Sequence, residues 1–177
     1  LTIPGNEKRV KELKVAFDTP PRWGKGLDWT GYTIFDAATV LNRYLTSLPE
    51  PLIDTPIANR MMFPSMSELF RHPDTSEVDS LVRTYQSAIR DLPSLNRQML
   101  LYLLDAFAVF VSQSDLNGAT TDHIVDMYHP VFFEDNLYDV EKIVRNKFAL
   151  KFLIDNQDHF LVGNFLPGGE EEQTSKK

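Results

Sequence analysis

Apolar residues recur at helical rather than alternating spacing along almost the whole chain. Asn6 is placed to cap a first helix, with Val10, Leu13, Val15 and Phe17 as its apolar positions, and Thr19-Pro20-Pro21 stops it. A loop containing glycines and tryptophans, RWGKGLDWTGY, follows. Thr33 with Asp36 then forms a variant capping box for a second helix, whose apolar positions are Ala37, Val40, Leu41, Tyr44, Leu45 and Leu48. Pro49 and Pro51 end it. Further helices are predicted near Ile57–His72 (bent or broken near Pro64), Ser76–Asp91, Ser94–Gln113, Thr121–Phe133 and Leu137–Phe160, with Ser94 as the cap behind Pro93. Asp115-Leu116-Asn117-Gly118 reads as a turn. Neither a sustained strand pattern nor an internal repeat occurs. The pattern predicts one all-α domain of about seven helices over residues 1–162 and a polar tail over 163–177.

Composition narrows the chemistry. The 177 residues are 42% hydrophobic and 24% charged, enough for one domain with a real core. No apolar run approaches the roughly 20 residues of a membrane span. Leu100–Val111 is apolar but carries Asp105, and reads as a buried helix. The absence of cysteine excludes disulfides, thiol catalysis and Cys-based zinc sites, and fits a cytoplasmic location. A net charge of −7 argues against general nucleic-acid binding and for protein partners. There is no signal-peptide pattern, no phosphate-binding glycine loop and no Ser/His/Asp order, so neither GTP nor any other cofactor is expected on the chain itself.

Three smaller features have competing readings. Asp122, Asp126 and His129 fall at helical spacing with His123 nearby, a set that can hold a divalent metal, but a solvated face is the plainer reading and no metal site is assigned. Trp23 and Trp29 suit either a partner patch or packing of the loop onto the domain, and packing is the simpler expectation. Thr19-Pro20-Pro21-Arg22 is too short to read as a proline-rich ligand.

Four ordered segments carry a family resemblance. GNEKRVKEL at Gly5–Leu13 resembles the turn and helix after the arginine-finger loop of RhoGAP domains, helical modules that stimulate GTP hydrolysis by Rho-family GTPases. Asp36–Leu52 resembles their helix ending in Leu-Pro-Glu-Pro-Leu. Leu92–Ser114 is similar to their LP-x-x-N-x-x-x-L-x-x-L helix. Phe152–Gly163, FLIDNQDHFLVG, is similar to the closing helix of fungal RhoGAPs, and DWTGYTIFDAA has the same fungal character. The resemblance implies a RhoGAP-like helical domain whose first helices are missing, since one or two helices precede the finger loop in the family.

The residues that contact the GTPase in that family are changed. Aligning Gly5 with the last glycine of Gly-x-Phe-Arg-x-x-Gly sets Thr2 at the finger arginine. The family's Lys and Arg before the LPEPL leucine fall on Asn42 and Thr46, and its later contact asparagine falls on His123. An arginine finger is typically worth roughly 10³–10⁵ in rate, and threonine has neither its charge nor its reach. Arg9, Arg22 and Arg43 are the substitutes available nearby, and Arg22 in the loop is the least implausible. The resemblance thus implies no catalytic residue, and a chain that is not itself an enzyme but at most a GTPase activator. It implies a pseudo-GAP that binds a Rho-family GTPase or serves other signalling proteins as a scaffold. An active activator using non-standard residues, or a helical interaction domain without GTPase binding, are the alternatives.

Overall fold

Asn6 opens the first helix as its side chain predicts. Its Oδ1 accepts the backbone N–H groups of Lys8 and Arg9 at 3.1 and 3.3 Å, answering donors that helix α1 (Glu7–Asp18) leaves free. The computed structural model describes residues 4–61, 75–135 and 138–165. The chain divides into two compact units, Leu1–Pro49 and Glu50–Lys177. Among the described residues there are eight α-helices, two 3₁₀ turns and no strand.

The first unit pairs α1 with α2 (Ile34–Thr46). Val10 and Leu13 of α1 are buried, but Val15, expected inside, is 65% exposed. It lies roughly 140° round the helix from Val10, which puts it off the buried face. Phe17 keeps the right face but sits in the last turn, where it is 37% exposed and packs on Trp29 at 6.3 Å. Trp29 in turn meets Tyr32 edge-on at 6.2 Å. The loop therefore folds back on the end of α1, as expected, yet Trp23 and Trp29 both keep about half their surface exposed. The capping box at Thr33 and Asp36 forms in full. Leu45 is buried, while Tyr44, expected to be apolar-facing, is exposed.

The second unit contains α3 (Thr55–Met61), α4 (Thr75–Asp91), α5 (Ser94–Ser112), α6 (Ser114–Asn117), α7 (Thr121–Phe132) and α8 (Val140–Asp155). The 3₁₀ turns Gln157–His159 and Val162–Phe165 follow. The stretch predicted to continue α3 to His72, with its bend at Pro64, lies outside the described residues, as does the tail from residue 166. Ser94 is not a cap. Pro93 holds an extended conformation (φ −50°, ψ 142°), so Ser94 is already helical and no side chain caps α5. The expected turn at 115–118 tightens into the one-turn helix α6, ended by Gly118 in the left-handed region at φ 68°. Asp139 caps α8 through Lys142 N–H at 2.9 Å, so that helix starts later than the pattern suggested, and it stops at Asp155 rather than Phe160.

α7 packs along α8, α5 lies against both, and α3 packs on α4. Phe107 joins Tyr128 and Phe132 at ring distances of 4.9 and 6.0 Å. Tyr85 is sealed between Phe152 and Phe160; its hydroxyl has no hydrogen-bond partner among the described residues, and burial pushes its ionisation far above the usual phenol range. No described helix is long and apolar enough to cross a membrane.

Candidate functional site

The entry to α1 is bolted to α2 by a set of directed bonds. Gly5 N–H donates to Thr39 Oγ1 at 2.8 Å, and Asn6 N–H donates to Asp36 Oδ1 at 2.7 Å. The other carboxylate oxygen of Asp36 accepts Arg9 Nε at 2.7 Å and the Thr33 N–H and hydroxyl at 2.8 and 2.9 Å. Asp36 is wholly buried. The Arg9 guanidinium foremost, then the donors of Thr33 and Asn6, hold its carboxyl well below the usual carboxylate range despite burial. The backbone approach is close enough to demand glycine at position 5: a Cβ there would lie 2.6 Å from Asp36 Cα and 2.8 Å from Phe35 O. Two helical turns on from Asp36, Arg43 makes a two-pronged bond to Glu7 at 2.7 and 3.1 Å, which lowers the Glu7 pKa and raises that of Arg43.

Of the four positions aligned with the family's contacts, Thr2 lies outside the described residues. Asn42 and Thr46 share one face of α2. The Thr46 hydroxyl is exposed and donates back to the Asn42 carbonyl at 2.9 Å. Asn42 is half-buried, and its side-chain Oδ1 is enclosed without a hydrogen-bond donor among the described residues. His123 belongs to the second unit, in the first turn of α7, where its N–H donates to the cap Thr120 Oγ1 at 3.2 Å. Of the arginines offered as substitute fingers, Arg9 is bound to Asp36 and Arg43 to Glu7, whereas Arg22 is exposed and has no ion pair among the described residues.

Asp122, Asp126 and His129 do not converge. Asp122 pairs with Lys151 at 2.9 Å and Asp126 with Lys147 at 2.8 Å, ties that join α7 to α8. Lys147 lowers the Asp126 pKa; burial pulls that of Lys151 down, but Asp122 and Asp155 outweigh it. His129 is buried, with Nδ1 on Val125 O at 3.0 Å and Nε2 on Asp135 Oδ2 at 3.0 Å. Asn146 donates to the other Asp135 oxygen at 2.9 Å. The helical spacing correctly placed these residues on one helix but carried no sign of their lysine and carboxylate partners. The Asp36–Arg9, Glu7–Arg43 and Gly5–Thr39 links were likewise missed. Each spans 27 residues or more, and only the local role of Asp36 in its capping box leaves a mark in the sequence.

Helix α1 starts at a glycine held tight against α2, and the chain leaves α2 through Leu48-Pro49-Glu50-Pro51-Leu52. Residues 2–136 match the RhoGAP domain. The chain belongs to the RhoGAP domain family. It is 33% identical over 165 residues to Rho-GTPase-activating protein 5 of Schizosaccharomyces pombe, covering 90% of this chain and 43% of that protein. It is 31% identical over 130 residues to Rho-GTPase-activating protein BAG7 of Saccharomyces cerevisiae, covering 72% and 31%. The RhoGAP chain thus spans less than half the length of these two fungal relatives. The fold matches the crystal structure of the BH domain from GRAF, the GTPase regulator associated with focal adhesion kinase, with a TM-score of 0.69 at 20% identity over 89% of this chain and 80% of that one. Human Rho GTPase activating protein 15 gives a TM-score of 0.68 at 15% identity, over 89% and 72%.

Proposed function

We propose that this RhoGAP domain docks on a Rho-family GTPase but stimulates its hydrolysis weakly or not at all. The observation that carries the reading is the state of the cations. Thr2, Asn42 and Thr46 stand at the positions the family resemblance assigns to the finger and to two docking charges. Arg9 and Arg43, the nearby guanidiniums on helices, are committed to Asp36 and Glu7. A transferring phosphoryl group accumulates negative charge that a docked threonine cannot offset.

The test is single-turnover GTP hydrolysis by several Rho-family GTPases with the full chain, the Thr2→Arg variant and the Thr2→Arg, Asn42→Lys double variant. The double variant is expected to stimulate at least roughly 10³-fold more than the parent, the low end of a finger's contribution. Parent stimulation equal to that of an arginine-bearing relative would overturn the reading. A second reading, an active domain with a displaced cation, is favoured by one observation: Arg22 in the α1–α2 loop is exposed and has no ion pair among the described residues. Loss of any parental stimulation in Arg22→Ala would select it.

A further inference from the structure

We infer that Asp36 and Thr39 are positioning residues, which hold the segment entering α1 in one register against α2. The inference rests on the proposed reading of that segment and of α2 as the GTPase-facing parts. Neither residue stands at a position aligned with a family contact. Both turn inward, and what they hold is main chain. Thr39 takes the Gly5 N–H and Asp36 takes the Asn6 N–H, two consecutive backbone donors that precede the helix and have no helical acceptor.

Three features make this a fixed seat rather than an incidental contact. The acceptors sit three residues apart on α2, so they lie on one face and meet consecutive amides of an incoming strand of chain. Asp36 is itself immobilised from the other side by Thr33 and Arg9, leaving it little freedom to follow a shifting loop. The glycine at position 5 lets the two backbones meet at a distance no side chain would allow. The seat fixes the same segment against the helix that bears Asn42 and Thr46. A displacement of about 1 Å at a phosphoryl-transfer site costs on the order of 10²-fold in rate. A loosened seat is therefore expected to lower maximal hydrolysis while leaving the docking face of α2 as it is.

The test separates the seat from the function. Amide hydrogen exchange is measured in the full chain and in Thr39→Val, Thr39→Ser and Asp36→Asn. Thr39 is only half-buried, so Thr39→Val keeps the test informative should Asp36→Asn fail to fold. Gly5 exchange is expected to accelerate about tenfold in Thr39→Val and to return in Thr39→Ser, with Leu41 and Leu45 amides unchanged. The same Thr39 changes are then placed in the Thr2→Arg, Asn42→Lys chain. There Thr39→Val is expected to lower maximal hydrolysis about tenfold or more at an unchanged half-saturating concentration, and Thr39→Ser to restore it. Gly5 exchange that is equally fast in parent and Thr39→Val overturns the seat. Unchanged maximal hydrolysis with altered exchange overturns its positioning role. If the Thr2→Arg, Asn42→Lys chain shows no stimulation, the functional reading falls, and the exchange result alone upholds or overturns the seat.

Discussion

Asn96 donates its side-chain amide to the carbonyl of Leu52 at 3.0 Å. Leu52 is the last residue of LPEPL and Asn96 is the asparagine of LP-x-x-N, so the bond joins two sequence signatures that lie 44 residues apart. The Leu52 N–H is also taken, by Val131 O at 3.0 Å, and the next amide, Ile53, donates to Phe132 O at 2.9 Å. The irregular backbone at Leu52 and Ile53, both buried residues, is thereby satisfied without a helix or sheet.

Removing that amide leaves a buried carbonyl without a donor. Asn96→Ala is expected to destabilise the domain by about 1–3 kcal/mol. Urea unfolding of both proteins, with equal slopes, measures it. A change indistinguishable from zero would mean that water replaces the side chain and that the link between the signatures is incidental.

The buried carboxylate in the first unit sets a pH dependence. The Asp36 pKa is depressed in the folded chain, so its ionised form favours folding. That contribution is complete above the ordinary aspartate pKa of about 4 and is lost as pH falls from there towards the lower folded value. Melting temperature should therefore decline below about pH 4, and Asp36→Asn should lower it by several degrees at pH 7 while flattening the acid limb. Parallel limbs in the two proteins would show that another group governs the acid transition.

Local signals explain why so much of the fold was legible. Asn6, Thr33, Thr120 and Asp139 each cap a helix with a side chain that reaches no farther than three residues. Such caps are written in adjacent residues, and two of them, Asn6 and Thr33, were read directly. Proline is less transparent: it marked the start of α5 but hid that Pro93 itself takes the cap position. Leu100–Val111 was read as a buried helix, and Leu100, Leu101, Leu104 and Phe107 of α5 are inside, but Tyr102 and Val109 are each 63% exposed, so α5 also has an outer face. The reading of burial failed at Val15 and Tyr44, where apolar residues border a narrow stripe. The candidate site was legible only as positions. That Asn42 encloses an unpaired oxygen, or that Arg9 and Arg43 are already held, depends on partners brought together by the packing of α1 on α2.

Tyr85 tests whether its hydroxyl serves the core. The ring is fully buried between Phe152 and Phe160, yet the oxygen has no partner among the described residues. An unsatisfied buried hydroxyl costs about 1–3 kcal/mol. Tyr85→Phe should leave stability unchanged or raise it, whereas Tyr85→Ala should cost about 3–5 kcal/mol through the cavity it leaves. Denaturant melts of the three proteins decide it. A substantial loss in Tyr85→Phe would show that the hydroxyl is bonded in solution.

Asn42 allows docking to be separated from catalysis. Its enclosed Oδ1 finds no donor, so replacing it by lysine removes an unsatisfied acceptor, while the longer stem can run along the same surface and carry its ammonium to water. Asn42→Lys should thus fold at least as stably as the parent. If α2 faces the GTPase, the new charge should tighten binding of a Rho-family GTPase loaded with a GTP analogue by up to roughly tenfold at low salt, and less as salt rises. Hydrolysis should stay at the unassisted rate, because a charge on α2 supplies no guanidinium at position 2. Binding isotherms at two salt concentrations, read beside single-turnover hydrolysis, check both halves. Unchanged affinity at low salt would remove α2 from the docking surface. Full stimulation by Asn42→Lys alone would show that a lysine at position 42 is sufficient for activity without an arginine at position 2.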